Sequence, residues 1–164
     1  MIYEVQGDIL LSKAQLIAHG VAPNDHFEQG LALSLREKFP AMYQDFRHNY
    51  HVNHPDCGEI ALWAGEGKHI VHLFTQEKAP DRAGGHAGKA QLTYVHKALR
   101  NLHKLIEKDG IKSVALPRVA TGVGGLSWDE VKAEIQQQLG SLTGCSVYVY
   151  TTYVKGKAAD EKGL

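Results

Sequence analysis

The sequence predicts an α/β fold, a three-layer α/β/α sandwich around a mixed, mostly parallel central sheet. Three observations carry this. Short apolar runs of strand length alternate with stretches whose apolar residues recur every three or four positions. The crossings from strand to helix are rich in glycine. One pair of strands, 59–63 and 69–74, is joined by the tight turn Gly65-Glu66-Gly67, which places a single hairpin in the pattern.

Taken in order, Ile2 to Val5 reads as a strand that stops at Gly7-Asp8, and Leu16 to Val21 as a buried strand followed by the polar turn Ala22-Pro23-Asn24-Asp25. A helix runs from about Gly30 to Phe39 with Ala32, Leu35 and Phe39 on one face. Pro40 restarts a second helix in which Met42 and Phe46 share a face. The hairpin strands come next, and then a long glycine-rich loop from Thr75 to Lys89, a length that in a compact domain points to function. Leu92, Val95, Leu99, Leu102 and Ile106 mark an amphipathic helix that Gly110 ends. Val114 to Leu116 is a strand, and Pro117 to Leu126 a second glycine-rich loop. Ser127 and Glu130 form a capping-box pattern opening a helix with Trp128, Val131, Ile135 and Leu139 inward. Val147 to Tyr150 is the last strand. Residues 1–153 are thus expected to form one domain, and 154–164 a polar tail that frays.

The bulk numbers fit one domain: 164 residues, 43% hydrophobic and 22% charged, too apolar for disorder. Eighteen Lys and Arg balance eighteen Asp and Glu, which argues against strong, sequence-independent nucleic-acid binding. No apolar run is long enough for a membrane span, and the first residues read as a strand rather than a signal peptide. Cys57 and Cys145 are unclustered and read as free thiols in a cytoplasmic protein. His48, His51, His54 and Cys57 recur at intervals of three, but the spacing matches no standard zinc pattern and Pro55 interrupts any single helix, so no metal or other cofactor is assigned.

Two loops carry the functional reading. The turn from Ala22 to Gly30 joins the end of a buried strand to a helix start, where exposed N–H groups and the helix dipole favour an anion; an ordinary βα loop has the same outline. The run Arg118-Val119-Ala120-Thr121-Gly122-Val123-Gly124-Gly125 is again strand, loop, helix. Its glycines let the backbone approach a ligand and form a nest of N–H donors, with Thr121 offering a hydroxyl. Neither loop is a P-loop or a Rossmann fingerprint. Together they suggest a diphosphate clamp. Asp8 offers a carboxylate to an adenine amino group, or is simply a turn residue.

These residues resemble the macrodomain family. Gly7-Asp8-Ile9-Leu10 is similar to the motif after that fold's first strand, and Ala18-His19-Gly20-Val21 with Gly30-Leu31-Ala32 to its ligand-binding loop and helix. Leu116-Pro117-Arg118, Gly122-Val123 and Leu126-Ser127-Trp128 resemble its phosphate loop, and Val149-Tyr150-Thr151 its closing strand. The resemblance spans about residues 1 to 153. It is strongest to the terminal ADP-ribose protein glycohydrolase subgroup. Leu73-Phe74-Thr75, with His86 and Gly88, also resembles yeast ADP-ribose-1''-phosphate phosphatase.

The resemblance implies ADP-ribose as ligand. Asp8 and Ile9 would hold the adenine, with Tyr150 against it. His19, Gly30, Leu31, Thr75 and Arg118 would line the site, and Thr121, Gly122, Val123 and Gly124 would meet the diphosphate and distal ribose. The subgroup's catalytic Lys and Asp positions hold Gln76 and Gly124 here, so that chemistry does not carry over. The remaining candidates are Glu28 as general base, with His19, His86 and Gln76 as further polar groups. The expected function is binding of ADP-ribose with hydrolysis of an ADP-ribose linkage on protein or nucleic acid, or dephosphorylation of ADP-ribose-1''-phosphate. A non-catalytic reader is the alternative. A monomer is favoured.

Overall fold

A computed structural model describes residues 1–80, 85 and 87–164. The strands are β1 (Ile2–Gly7), β2 (Leu16–Val21), β3 (Ile60–Gly65), β4 (Lys68–Phe74), β5 (Ser113–Pro117) and β6 (Ser146–Tyr153). The helices are α1 (Gly30–Lys38), α2 (Pro40–Asn53), α3 (Leu92–Asp109) and α4 (Trp128–Leu139). One sheet holds all six strands in the order β1-β6-β5-β2-β4-β3. Every neighbouring pair is parallel except β3 and β4, which run antiparallel with Ile60 opposite Leu73 and Gly65 opposite Lys68. The predicted fold class and every predicted element are present.

Alternation along β2 divides the core. Leu16 and Ala18 point into one layer, with Val71, Leu73, Val114 and Leu116 of neighbouring strands, against Val95, Leu99 and Leu102 of α3 and Val131 and Ile135 of α4. On the other face Val21, Ile70 and Phe74 pack against Leu35 of α1 and Met42 and Phe46 of α2. Pro40 is at the start of α2 and separates it from α1, as its ring requires. Gly110 ends α3 in the left-handed conformation, its N–H bonding to the Ile106 carbonyl.

Two local expectations are corrected. Ser127 is the N-cap of α4, but its side chain makes no capping bond. Asp129 and Glu130 in the first turn supply the charge that suits a helix start instead. The tail does not fray; it folds back across the end of β1. Asp8 N–H bonds to the Lys157 carbonyl at 2.7 Å, and Gly156 N–H to Asp8 Oδ2 at 3.0 Å. Glu161 is buried, accepting Ser12 Oγ–H at 2.5 Å, Lys13 N–H at 2.8 Å and the Tyr150 hydroxyl at 3.0 Å. A carboxylate with three donors tolerates burial, which polar composition could not show.

Candidate functional site

All five parallel strands end on the same side, and the loops after them form a groove there. One part is a cleft of about 240 Å³, walled by the loop after β2, the loop after β5 and the loop after β4. A second, more apolar part, about 350 Å³, adjoins it over β1 and β6, lined by Ile9, Leu10, Tyr150 and Tyr153. Leu31 and Pro117 line both parts and make them one continuous groove.

Backbone N–H donors lie on two sides of the cleft. On one side α1 begins at Gly30, so its first N–H groups have no partner inside the helix. Gly30 takes φ 63, which lets the chain turn sharply into that helix. On the other side the N–H groups of Gly122, Val123 and Gly124 have no acceptor among the described residues. Ala120 at φ 64 and Gly125 at φ 77 bracket them, and the turn closes through Gly125 N–H to Gly122 O at 3.1 Å. Two sets of unpaired donors thus flank one space, the arrangement expected for a diphosphate.

The candidate residues divide. His19, Leu31, Gln76, Arg118, Gly122, Val123 and Gly124 line the cleft, as does Glu28, exposed at its rim. Ile9, Gly30 and Tyr150 line the apolar part. Arg118 is parked on a neighbour, its guanidinium carbon 5.3 Å from the centre of the Trp128 ring. Asp8 lies at the apolar end but outside the lining. Its Oδ1 takes Leu10 N–H at 3.0 Å and its Oδ2 the tail, so it braces the apolar end from behind. Thr75 is buried beneath Gly20, where a Cβ would come within 2.7 Å of its Oγ1, and Thr121 gives its hydroxyl to the Arg118 carbonyl at 2.8 Å. Neither is among the lining residues: Thr75 is wholly buried and Thr121 partly exposed.

Gly124 is likewise a packing residue as well as a donor, since a Cβ there would lie 2.6 Å from the Ala120 carbonyl oxygen. Gln76 gives its amide to the Gly88 carbonyl at 3.1 Å and helps close the base of the loop after β4. It holds that loop rather than moving a proton. His86 lies outside the described residues. Among the described residues no three His, Cys, Asp or Glu side chains gather as metal ligands, so His48, His51, His54 and Cys57 form no cluster.

His19 is corrected as a proton donor. Its ring turns into the core, with Nε2 2.8 Å from Nδ1 of His72 and Phe27 packed edge-on. Burial holds its pKa down at about 3, and His72 sits well below the ordinary value through burial and then the charge of His19. Both are neutral near pH 7, one nitrogen donating to the other. These folded values lie below the unfolded value near 6.5, so the pair's contribution to stability is complete above that pH and declines as pH falls through 6.5 toward 3. We expect stability to drop by up to about 1.4 kcal/mol per pH unit for each histidine, read from urea midpoints between pH 6.5 and 5. A flat profile there would mean that a charged ring is accommodated.

Sequence reasoning missed three residues of the site. Phe27 sits in a polar turn, wholly buried at φ 52, under the rings of His19, Tyr43, Phe46 and His72. A lone aromatic among polar turn residues was the available signal. Asn24 exchanges two hydrogen bonds with the Ala79 backbone, at 2.9 and 2.8 Å, tying the loop after β2 to the loop after β4. His26 lines the cleft, its buried Nε2 without a partner among the described residues. Beside it, burial pushes the Asp25 carboxyl up, while N–H bonds from Phe27 and Ala22 and the charges of His26 and Arg47 pull it down.

The macro domain family model matches residues 14–135. A DNA ADP-ribosyl glycohydrolase of Thermus aquaticus is 27% identical over 96% of this chain, which spans 43% of that protein's length. The human ADP-ribose glycohydrolase OARD1 is 24% identical over 90% of this chain and 89% of its own. Among solved structures, the macrodomain of Thermus aquaticus DarG superposes with a TM-score of 0.81 at 27% identity, covering 92% of this chain and 98% of that one.

Proposed function

The chain belongs to the macro domain family, and from that premise we propose that it binds ADP-ribose and hydrolyses an ADP-ribose linkage on a modified macromolecule. The observation that carries this is the groove itself. N–H groups at the start of α1 and at Gly122 to Gly124, without acceptors among the described residues, flank one cleft, and an apolar slot ending at Tyr150 continues from it. A nucleoside diphosphate joined to a second ribose has that sequence of parts: a flat apolar base, two phosphates and a sugar beyond them. The names of the relatives support hydrolysis, and the Thermus protein's name makes ADP-ribosylated DNA the first substrate to test.

A reader that binds without turnover is the second reading. It is favoured by Gln76 and Gly124 standing where the resembling glycohydrolases carry Lys and Asp. One experiment separates the two. ADP-ribose should give a saturating calorimetric titration, and AMP should bind at least about tenfold more weakly, since it forfeits charge-assisted hydrogen bonds worth about 1.5 kcal/mol or more. The protein is then incubated with an ADP-ribosylated oligonucleotide, an ADP-ribosylated protein and ADP-ribose-1''-phosphate. Release of ADP-ribose from either macromolecule supports the hydrolase, and release of phosphate alone moves the activity to a phosphatase. Binding without product leaves a reader, and absence of binding removes ADP-ribose as the ligand.

A further inference from the structure

Asn24, in the loop after β2, and Ala79, in the loop after β4, lie 55 residues apart in the chain and are joined by a reciprocal pair of hydrogen bonds. The Asn24 amide donates through Nδ2 to the Ala79 carbonyl at 2.9 Å, and its Oδ1 accepts the Ala79 N–H at 2.8 Å. A side-chain amide carries a donor and an acceptor side by side, which is what an opposed N–H and C=O require. Both residues are buried, so water does not compete freely for either bond. The carbonyl of Asn24 in turn accepts a bond from Arg47 Nη1 of α2 at 2.7 Å.

Each loop is pinned on its own side of this clasp. In the loop after β2, the Asp25 carboxylate accepts N–H bonds from Ala22 at 3.1 Å and Phe27 at 2.9 Å. At the base of the loop after β4, the Glu77 carboxylate accepts the Gln91 amide at 2.7 Å and the Tyr94 hydroxyl at 2.8 Å. The clasp therefore sets the separation of two walls of the cleft, with Asp25 and Glu28 lining it from one loop and Gln76, Gly85 and Ala87 from the other. In the sheet, β2 and β4 stand beyond β5 from β6, the strand that carries Tyr150. A base in the apolar slot and phosphates between Gly30 and Gly122 leave the distal ribose on the side of the clasped walls.

We infer that Asn24 is a positioning residue for the distal ribose, holding the two walls at the separation by which the cleft distinguishes ADP-ribose from ADP. The inference rests on the ADP-ribose reading above. ADP carries the base and both phosphates and stops short of the second sugar, so it uses the apolar slot and the N–H groups at the start of α1 and at Gly122 to Gly124. Phe27, wholly buried between Asn24 and α1, anchors the chain before it reaches the helix. Loss of the clasp thus moves the walls at the sugar and leaves the start of α1 in place. A ligand that ends at its phosphates does not register the change, and one that reaches past them does.

The test is calorimetric titration of ADP-ribose and of ADP into wild type, Asn24→Ala, Asn24→Asp and Arg47→Lys, with a thermal melt for each. Wild type should bind ADP-ribose more tightly than ADP. Asn24→Asp keeps the size and the acceptor for the Ala79 N–H but sets an oxygen against the Ala79 carbonyl. In it and in Asn24→Ala, ADP-ribose affinity should fall by about tenfold, as expected for one or two hydrogen bonds, with ADP affinity held within about twofold. Arg47→Lys keeps the charge but not the guanidinium's fixed reach to the Asn24 carbonyl, and should show the same selective loss on a smaller scale. It decides the question if the Asn24 variants fail to fold. Equal losses for the two ligands in folded variants, or no loss for either, overturn the inference and leave the ADP-ribose reading intact. Wild type that binds the two ligands equally does the same. Wild type that does not bind ADP-ribose overturns the reading and the inference together.

Discussion

ADP-ribose binding should be lost in Gly122→Val while the fold survives. A Cβ built at Gly122 meets no atom within 4 Å, so the side chain occupies only the space in front of the loop. That space is where the N–H groups of Gly122, Val123 and Gly124 would meet phosphate. Losing two such charge-assisted hydrogen bonds, about 1.5–3 kcal/mol each, weakens binding by more than about 100-fold. Calorimetry gives the affinity, and circular dichroism with a thermal melt checks the fold. Native affinity in a natively folded Gly122→Val would mean that the ligand does not use this loop. Gly124→Glu, which the sequence alone suggests as an equivalent probe, is not one. Its Cβ would collide with the Ala120 backbone, so lost binding there would not distinguish the site from the fold.

Phe27→Ala should cost about 3–5 kcal/mol of stability, the range for truncating a buried phenylalanine, and deform the cleft with it. The ring has no exposed surface, and its centroid lies 4.6 Å from that of Phe46, the two rings tilted by 42°. It is also what fixes the turn that presents Asp25 and His26. Alanine at φ 52 keeps the backbone strain and removes the packing that sustains it. Urea denaturation measures the loss, and Phe27→Leu, retaining most of the apolar volume, should lose less. A cost below about 1 kcal/mol for Phe27→Ala would show that the turn holds its shape without the ring.

The elements were legible because their signals are local. The spacing of Leu92, Val95, Leu99, Leu102 and Ile106 along α3 depends only on helix geometry, and the hairpin between β3 and β4 on the two-residue turn Glu66-Gly67. The two glycine-bearing loops were legible for the same reason, and both line the cleft. The roles of single residues within them were not. Thr121 has a hydroxyl in any reading of the sequence, but its proximity to the Arg118 carbonyl at 2.8 Å follows from the turn's shape.

By itself the sequence determined an α/β domain with two strand-to-helix loops after parallel strands, because period, glycine placement and strand-to-helix order are properties of neighbouring residues. Tertiary structure decided which polar groups are free. His19 looks available at the end of a strand, and is neutral because its ring is buried in the core, beside His72, 53 residues away. Asp8 and Glu161 are drawn into the brace by a tail that composition marks as loose. Hydrogen-bond satisfaction and burial depend on contacts between residues distant in the chain, and those contacts separate a chemically free group from a structural one.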